Sequence, residues 1–227
     1  AYLVAAVVLR RAEAPESMMS LACALAGANT IKRIASSPYA VFAEMALSEA
    51  ERCAVIACGD CPNAVLSDAL NAYCRLVRVL DRQFELGEQP DWARRIAESR
   101  RLVSGLVTRE LEATLGHVRR LLGVPKLGSD GTPVLEAGLM AEGLRGVMLL
   151  NKMRESAESL AVNEITARTR QALEQSLEIK TRALLAGLAG AKVAERPAHL
   201  VAVDAAIELC EAYFGKDYAD QLRRSRK

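Results

Sequence analysis

Helical periodicity dominates this sequence, and no stretch alternates apolar and polar residues for long enough to predict a convincing β-strand. The clearest example follows Pro62, where apolar side chains recur at spacings of four and three residues. These side chains are Leu66, Leu70, Tyr73, Val77, Leu80 and Phe84. Such spacing places an apolar stripe along one face of a helix, and another helix must cover it. The sequence therefore predicts an all-α fold, either a multi-helix bundle or an irregular helical array, with roughly eight to ten helices.

Long amphipathic helices are a second expectation. One apolar face runs from Trp92 to Leu122, and neither glycine nor proline occurs from 147 to 186. The second segment could form one unbroken helix about 60 Å long, at a rise of about 1.5 Å per residue. Its leucines continue an apolar stripe at Leu173, Leu177, Leu184 and Leu188. Charged residues of the same segment, among which are Arg170, Glu174 and Glu178, predict a solvated face of mixed charge.

These stripes have two interpretations. Either they form the core of the chain itself, or they are a seam that binds a protein partner or a second subunit. Long helices generally need a neighbour along their length, whichever of the two applies. The residues that would form such a partner interface are Leu66, Leu70, Tyr73, Val77, Leu80, Leu173, Leu177, Leu184 and Leu188.

One clear loop, Val124–Thr132 with the sequence VPKLGSDGT, divides the chain near its middle. It predicts an N-terminal helical region at 1–123 and a C-terminal helical region with a long helix at 132–227, which could pack as a single compact domain. Thr132 precedes Pro133 as an N-cap precedes a proline in the first helical turn, so we expect a helix to begin there. Small residues near the start of the second region predict close contact between helices, namely Gly138, Ala141 and Gly146.

The scarce residue types and missing motifs disfavour several classes of function. Only two histidines occur, His117 and His199, and neither has a metal-ligand spacing such as H-E-x-x-H. The G-x-S-x-G nucleophile elbow and the glycine-rich nucleotide loops are absent. The few aromatic residues disfavour base stacking, and a net charge of +2 selects no class of partner. These observations favour a non-enzymatic protein, although a pocket built between helices would need no contiguous motif.

The one chemical lead is the C-x-x-C motif of Cys58 and Cys61. A helix break at 59–62 would place Cys61 near a helix N-terminus, where the helix dipole stabilises a thiolate. Together with Cys53 and Cys74, the motif could form a zinc site, or it could be a redox-active pair. Only one such short motif is present, however, and thiols often pack in helical cores. Inert cysteines are therefore the default interpretation, and zinc is the one cofactor that the sequence suggests.

Arginines on the predicted helix over 94–120 suggest a second lead, an interface for nucleic acid or another anion. The candidate residues are Arg94, Arg95, Arg101, Arg119 and Arg120. Neighbouring glutamates could equally neutralise these side chains through i, i+4 pairs on a solvated face. Nucleic-acid binding is thus an alternative and not the favoured function.

The order of residues at the N-terminus argues against a secretory signal. The apolar run Ala1–Leu9 precedes Arg10 and Arg11, whereas a signal peptide has its basic residues before the apolar stretch. This run is also too short to span a bilayer, so we expect a buried first helix and no membrane anchor. Six cysteines in a chain large enough to form its own core are typical of a reduced, cytoplasmic protein.

Long apolar stripes without a convergent set of catalytic residues favour a helical protein-interaction or assembly protein that acts as a scaffold. We expect it to bind a protein partner or to form a homo-oligomer. The alternatives are a metal-binding or thiol-redox protein centred on Cys58 and Cys61, and a nucleic-acid-associated protein that uses the arginine face.

Overall fold

The computed structural model describes residues 23–25, 27, 34–83, 90–154, 156–157 and 160–226. These residues are predominantly helical, which confirms the all-α prediction. The long helices of the described part are α1 Ala40–Cys58, α2 Asn63–Gln83, α3 Pro90–Leu121, α4 Leu139–Met153, α5 Asn163–Gly190, α6 Arg196–Phe214 and α7 Lys216–Ser225. In that part of the chain, no helix combines the length and the apolar character that crossing a bilayer requires. The apolar run at 1–9 lies outside the described residues.

Contacts divide the chain into two units, the first formed by 1–106 and 158–161 and the second by 107–157 and 162–227. The division falls within α3. We expected the loop at 124–132 to separate two regions. It lies inside the second unit instead, where it connects the second half of α3 to α4.

In the first unit, α1 packs against α2. The buried face of α1 consists largely of small side chains, among them Ala43, Ala46, Ala50, Ala54 and Ala57. The buried face of α2 is the predicted stripe, on which five side chains are at most 1% exposed: Leu66, Leu70, Tyr73, Val77 and Leu80. The last predicted member of the stripe, Phe84, lies outside the described residues. Small residues on α1 let the large side chains of α2 approach its backbone closely.

A buried hydrogen bond connects α2 to α3 within this unit. The Tyr73 hydroxyl lies 3.2 Å from Ser99 Oγ, and Ser99 Oγ also donates to the Ile96 carbonyl at 3.0 Å. A buried hydroxyl needs such a partner, because an unsatisfied one loses its hydration without compensation. Burial raises the pKa of Tyr73 to about 12, so the hydroxyl remains protonated at neutral pH.

In the second unit, α4, α5 and α7 each pack against α6. The buried residues of α6 include Ala198, Ala202, Ala205, Ala206 and Cys210. The predicted stripe of α5 is buried at Leu173, Leu177, Leu184 and Leu188, and Thr166, Thr169 and Thr181 extend it. Small residues on α6 therefore allow three helices to approach one central helix.

The prediction of one unbroken helix over 147–186 is wrong. α4 ends at Met153 and α5 begins at Asn163, and Ala161 between them has a positive φ of 53°. Ala157, Leu160 and Val162 are buried in this connection. Burial of their apolar surface outweighs the helix propensity of the local sequence, which contains no glycine or proline to signal a break.

Close contact between α3 and α4 depends on two glycines. A Cβ atom at Gly146 would lie 2.0 Å from Thr114 Oγ1, and one at Gly143 would lie 2.6 Å from Leu121 Cδ1. The expectation of close helix contact therefore holds for Gly146. It does not hold for Gly138 and Ala141, which are exposed.

Candidate functional site

The four cysteines of the C-x-x-C hypothesis lie in different environments. The predicted helix break is confirmed, because α1 ends at Cys58 and α2 begins after Pro62. Cys58 is exposed, and its thiol lies 3.7 Å from the Leu102 carbonyl oxygen. Cys61 is half-buried, whereas Cys53 and Cys74 are buried in the core of the first unit.

These environments give the zinc hypothesis no support. Across the described ranges, no group of three or more histidine, cysteine, aspartate or glutamate side chains could hold a metal ion. All six cysteines, each of which the structure describes, are thiols. Burial, together with the nearby Glu49 carboxylate, raises the pKa of Cys53 to about 11. Zinc binds thiolates, so Cys53 would have to lose its proton to become a ligand.

Thiol labelling is expected to separate exposed from buried cysteines. At about pH 8, the shift of the Cys53 pKa from 9.0 to about 11 lowers its thiolate fraction about a hundredfold. Iodoacetamide should therefore modify Cys58 and Cys61 first, and reach Cys53, Cys74 and Cys210 only when the protein opens. Peptide mass spectrometry over time gives each rate, and labelling in guanidinium, where all rates should converge, is the control. Equal rates at Cys53 and Cys58 in the folded protein would contradict this expectation.

Among the candidate arginines, Arg95 is the most firmly engaged. Its guanidinium binds Glu44 Oε2 at 2.6 Å and both carboxylate oxygens of Glu51 at 2.7 and 2.8 Å. These bonds raise the pKa of Arg95 further above neutral pH and connect α3 to α1. Arg95 therefore stabilises the first unit and has little capacity left for a phosphate.

The other candidate arginines are exposed. Arg94 pairs with Asp91 and Glu98, and Arg120 pairs with Glu136 at 2.6 Å. Arg101 is exposed in the first unit and Arg119 in the second. These pairs match the solvated-face interpretation, and nucleic-acid binding stays a prediction.

All nine residues predicted for a partner interface are buried within the chain, and none is more than 6% exposed. Covered side chains can contact a partner only if the chain opens. A contact surface of the folded protein must therefore lie elsewhere.

An ordered hairpin at 124–135, which we name the hairpin loop, connects α3 to α4. The Val134 N–H donates to the Lys126 carbonyl at 2.9 Å, and the Gly128 N–H donates to the Thr132 carbonyl at 2.8 Å. An antiparallel bridge pairs Leu127 with Pro133 between these two bonds. The arms are therefore held together by their own backbone.

Asp130 holds the tip of the hairpin loop. Its Oδ1 accepts hydrogen bonds from the Thr132 N–H at 3.0 Å and from the Thr132 hydroxyl at 2.6 Å. These bonds lower the pKa of Asp130. They therefore stabilise the tip of the hairpin loop at pH values above the ordinary aspartate pKa, and this stabilisation is lost as the pH falls through the lowered pKa.

The prediction that a helix begins after Thr132 is wrong, because Thr132 and Pro133 form this hairpin and α4 begins at Leu139.

Apolar side chains are exposed on the hairpin loop. Val124, Leu127, Val134 and Leu135 are between 39% and 61% exposed. They are four of the ten large apolar side chains that are exposed among the described residues, and they lie within twelve residues of sequence. No residue from 123 to 138 is buried. Exposed apolar side chains so close together in sequence make the hairpin loop a candidate contact surface.

The second unit also contains an open cleft of about 710 Å³ along α5 from Asn163 to Glu178. We name it the α5 cleft. Its volume falls in the range of small-molecule sites, about 300–1,000 Å³. Among the described residues, the charged side chains that line it are Arg154, Arg170, Glu174 and Glu178.

One lining residue of the α5 cleft, Thr166, has an unsatisfied hydroxyl. Thr166 is 6% exposed, and its Oγ1 has no hydrogen-bond partner among the described residues. A helical threonine usually bonds back to a carbonyl one turn earlier, as Thr114 Oγ1 does to the Glu110 carbonyl at 2.6 Å. A buried hydroxyl without a partner costs about 1–3 kcal/mol.

Charged groups of the α5 cleft meet at Tyr213 of α6. Arg170 donates a hydrogen bond to the Tyr213 hydroxyl, and the charges of Glu174 and Arg154 also act on it. Burial raises the pKa of Tyr213, and the bond from Arg170 partly offsets this rise.

Neither surface was predicted from the sequence. The S-D-G-T turn between apolar residues is a hairpin signal that could have revealed the hairpin loop. No comparable signal marks the α5 cleft, because its charged residues have the spacing of an ordinary solvated face.

No protein-family model, curated protein or solved structure matches this chain. Its function is therefore inferred from the geometry of the chain itself.

Proposed function

We propose that this chain is a protein-interaction or assembly protein that binds its partner through the hairpin loop. The observation that carries the proposal is the group of four exposed apolar side chains on a loop held by its own hydrogen bonds. A loop that is already ordered loses little conformational entropy on binding, so more of the hydrophobic gain contributes to affinity.

Side chains of the hairpin loop, and not its strand edges, would make the contact. In this pairing the backbone groups of Leu127 and Pro133 point away from the hairpin. Pro133 has no N–H, so its arm offers a partner strand no hydrogen-bond donor at the bridge. On the opposite arm, only Leu127 offers an N–H donor together with a carbonyl acceptor. Addition of a partner strand needs a longer row of such groups.

The partner is expected to be a different protein with a concave apolar surface. Residues 123–138 contain no buried residue, so the apolar side chains of the loop face outward. A contact between two copies of the chain would require a patch that complements itself. We propose an apolar groove on another protein as the complementary surface, and contact between two copies of this chain is the alternative that the crosslinking experiment tests.

Site-specific photocrosslinking in the native cells tests this proposal. A benzophenone amino acid replaces Leu127 or Val134, and in matched controls it replaces Ile179 or Val193, which are exposed apolar residues outside the hairpin loop. We expect the same partner to crosslink from both hairpin positions and from neither control position.

A charge in the hairpin loop should remove this contact. Val134→Asp is expected to weaken partner binding at least about tenfold, because the contact would bury an unpaired carboxylate. The thermal unfolding midpoint should stay unchanged, since Val134 is exposed. Crosslinks between two copies of the chain, equal crosslinking from the control positions, or no crosslink would contradict the proposal.

A further inference from the structure

We propose that Asp130 and Gly131, at the tip of the hairpin loop, form a site of spontaneous covalent modification at which Asp130 converts to isoaspartate, and that Thr132 restrains this conversion. Water is the only co-reactant, and the conversion does not require that the hairpin loop bind a partner. In the whole sequence, Asp130 is the only aspartate or asparagine that is followed by glycine.

The reaction joins the side chain of Asp130 to the backbone of Gly131. The Gly131 nitrogen loses its proton and attacks Asp130 Cγ, a C–N bond forms, and the hydroxyl of the protonated carboxyl group leaves as water. Water then opens the resulting five-membered imide. If the bond from the nitrogen to the original backbone carbonyl breaks, isoaspartate forms, and if the new bond breaks, aspartate returns. One water leaves and one is added, so the conversion needs no oxidant or reductant.

Local structure favours the reaction at this position. Asp130 and Gly131 are both exposed, so water reaches the reacting atoms. Glycine has no Cβ that would obstruct the attacking nitrogen. Gly131 has a φ of 77°, and even a Cβ built there would meet nothing within 4 Å. The space beside the nitrogen is therefore open.

Hydrogen bonds of the tip restrain both reacting groups. The Gly131 N–H, which must lose its proton, donates to the Gly128 carbonyl at 3.0 Å. The carboxyl group must take up a proton before its hydroxyl can leave as water, and the two bonds from Thr132 to Asp130 Oδ1 favour the ionised form. The carboxylate also lies close to Gly128, where a Cβ would be 2.9 Å from Oδ1. These bonds must break before the ring can close.

The conversion is expected to loosen the tip. In isoaspartate the former side-chain carbonyl becomes part of the backbone, and one methylene is added to the main chain. The two bonds from Thr132 to the Asp130 carboxylate are then lost, so the Gly128 and Thr132 N–H groups should exchange faster with solvent. NMR hydrogen exchange on the aged chain, in which the converted fraction has its own amide signals, measures this change. Equal exchange rates in the two fractions would contradict the expectation.

Ageing of the full chain at neutral pH in water enriched in ¹⁸O tests the conversion. Each opening of the imide adds an ¹⁸O atom to the residue, and electron-transfer fragmentation distinguishes isoaspartate from aspartate in the peptide. We expect isoaspartate to accumulate over weeks at Asp130 and not at Asp60, which is also exposed outside the helices but precedes Cys61. Absence of isoaspartate at Asp130, or equal amounts at both positions, would overturn the proposal.

Variants of Thr132 test the restraint. Thr132→Val removes the hydroxyl that donates to Asp130 Oδ1, so it should raise the rate of conversion in the folded chain at least about threefold. Thr132→Ser keeps a hydroxyl and is the matched control, with a rate close to that of the original chain. In guanidinium, where the hairpin loop is lost, all three chains should convert at the same rate. Equal rates of the two variants when folded, or an acceleration that persists in guanidinium, would overturn the proposal.

Two substitutions of Asp130 identify the reacting atoms. Asp130→Glu keeps the carboxylate but would have to close a six-membered ring, so the isomer should form at least about tenfold more slowly. Asp130→Asn should yield aspartate and isoaspartate in the folded chain through the same imide, with ammonia leaving in place of water. Isomer formation in Asp130→Glu at the original rate, or no loss of ammonia from Asp130→Asn, would overturn the proposal.

Discussion

Truncation of Leu177 to alanine is expected to lower the free energy of unfolding by about 2–5 kcal/mol. Leu177 is completely buried on the α5 stripe, and α5 packs against α6. Alanine would lose the free energy gained by burying the leucine side chain. It would also leave a cavity that the neighbouring residues fill only in part. Urea or guanidinium titration measures the change.

The matched control is Ile179→Ala on the same helix. Ile179 is 56% exposed, so its truncation should change the free energy of unfolding by no more than about 0.5 kcal/mol. Equal effects of the two substitutions would contradict the assignment of Leu177 to the core.

Protein concentration separates the two interpretations of the apolar stripes. If the stripes are the internal core, the unfolding midpoints of the original chain and of Leu177→Ala should not depend on concentration. If a second copy covered them, the midpoint would rise with concentration, because association stabilises the folded state. A midpoint that rises across a wide dilution series would contradict the internal core.

Substitution of Gly146 by alanine is the second large expected effect, a loss of about 1–3 kcal/mol. A Cβ atom there would lie 2.0 Å from Thr114 Oγ1 and 2.7 Å from Thr114 Cγ2. Thr114 is itself buried, and its hydroxyl is bonded to the Glu110 carbonyl, so it cannot move aside freely. The clash outweighs the helix propensity of alanine, which by itself favours alanine over glycine by about 1 kcal/mol.

Gly116→Ala on α3 is the control for Gly146→Ala. Gly116 is exposed, and a Cβ there would meet nothing within 4 Å, so alanine should stabilise the protein by about 0.5–1 kcal/mol. Thr114→Ala combined with Gly146→Ala removes the two nearest contacts and should recover part of the loss, which a double-mutant cycle measures. Equal stability of Gly116→Ala and Gly146→Ala would contradict the close contact of α3 with α4.

Local backbone chemistry made several helix ends predictable. Proline has no N–H to donate, and α2 begins directly after Pro62. Glycine accepts a positive φ, and α6 ends before Gly215, whose φ is 96°. Both effects act within one or two residues, so they can be predicted without knowledge of the fold.

The connection between α4 and α5 was not predictable in this way. Its residues carry no break signal, and burial of Ala157, Leu160 and Val162 depends on the tertiary environment. The same limit applies to the α5 cleft. A side chain that lines a cleft and one that faces water have the same spacing along a helix, and only the neighbouring elements distinguish them.

The amino-acid sequence by itself determined that the chain is helical and which side of each long helix is apolar, because both follow from the three- to four-residue period of its side chains. Tertiary structure alone decided what covers those apolar sides, where the segment 147–186 breaks, and which polar residues meet in the α5 cleft. These outcomes depend on contacts between residues far apart in the chain, whose free energy exceeds local preference.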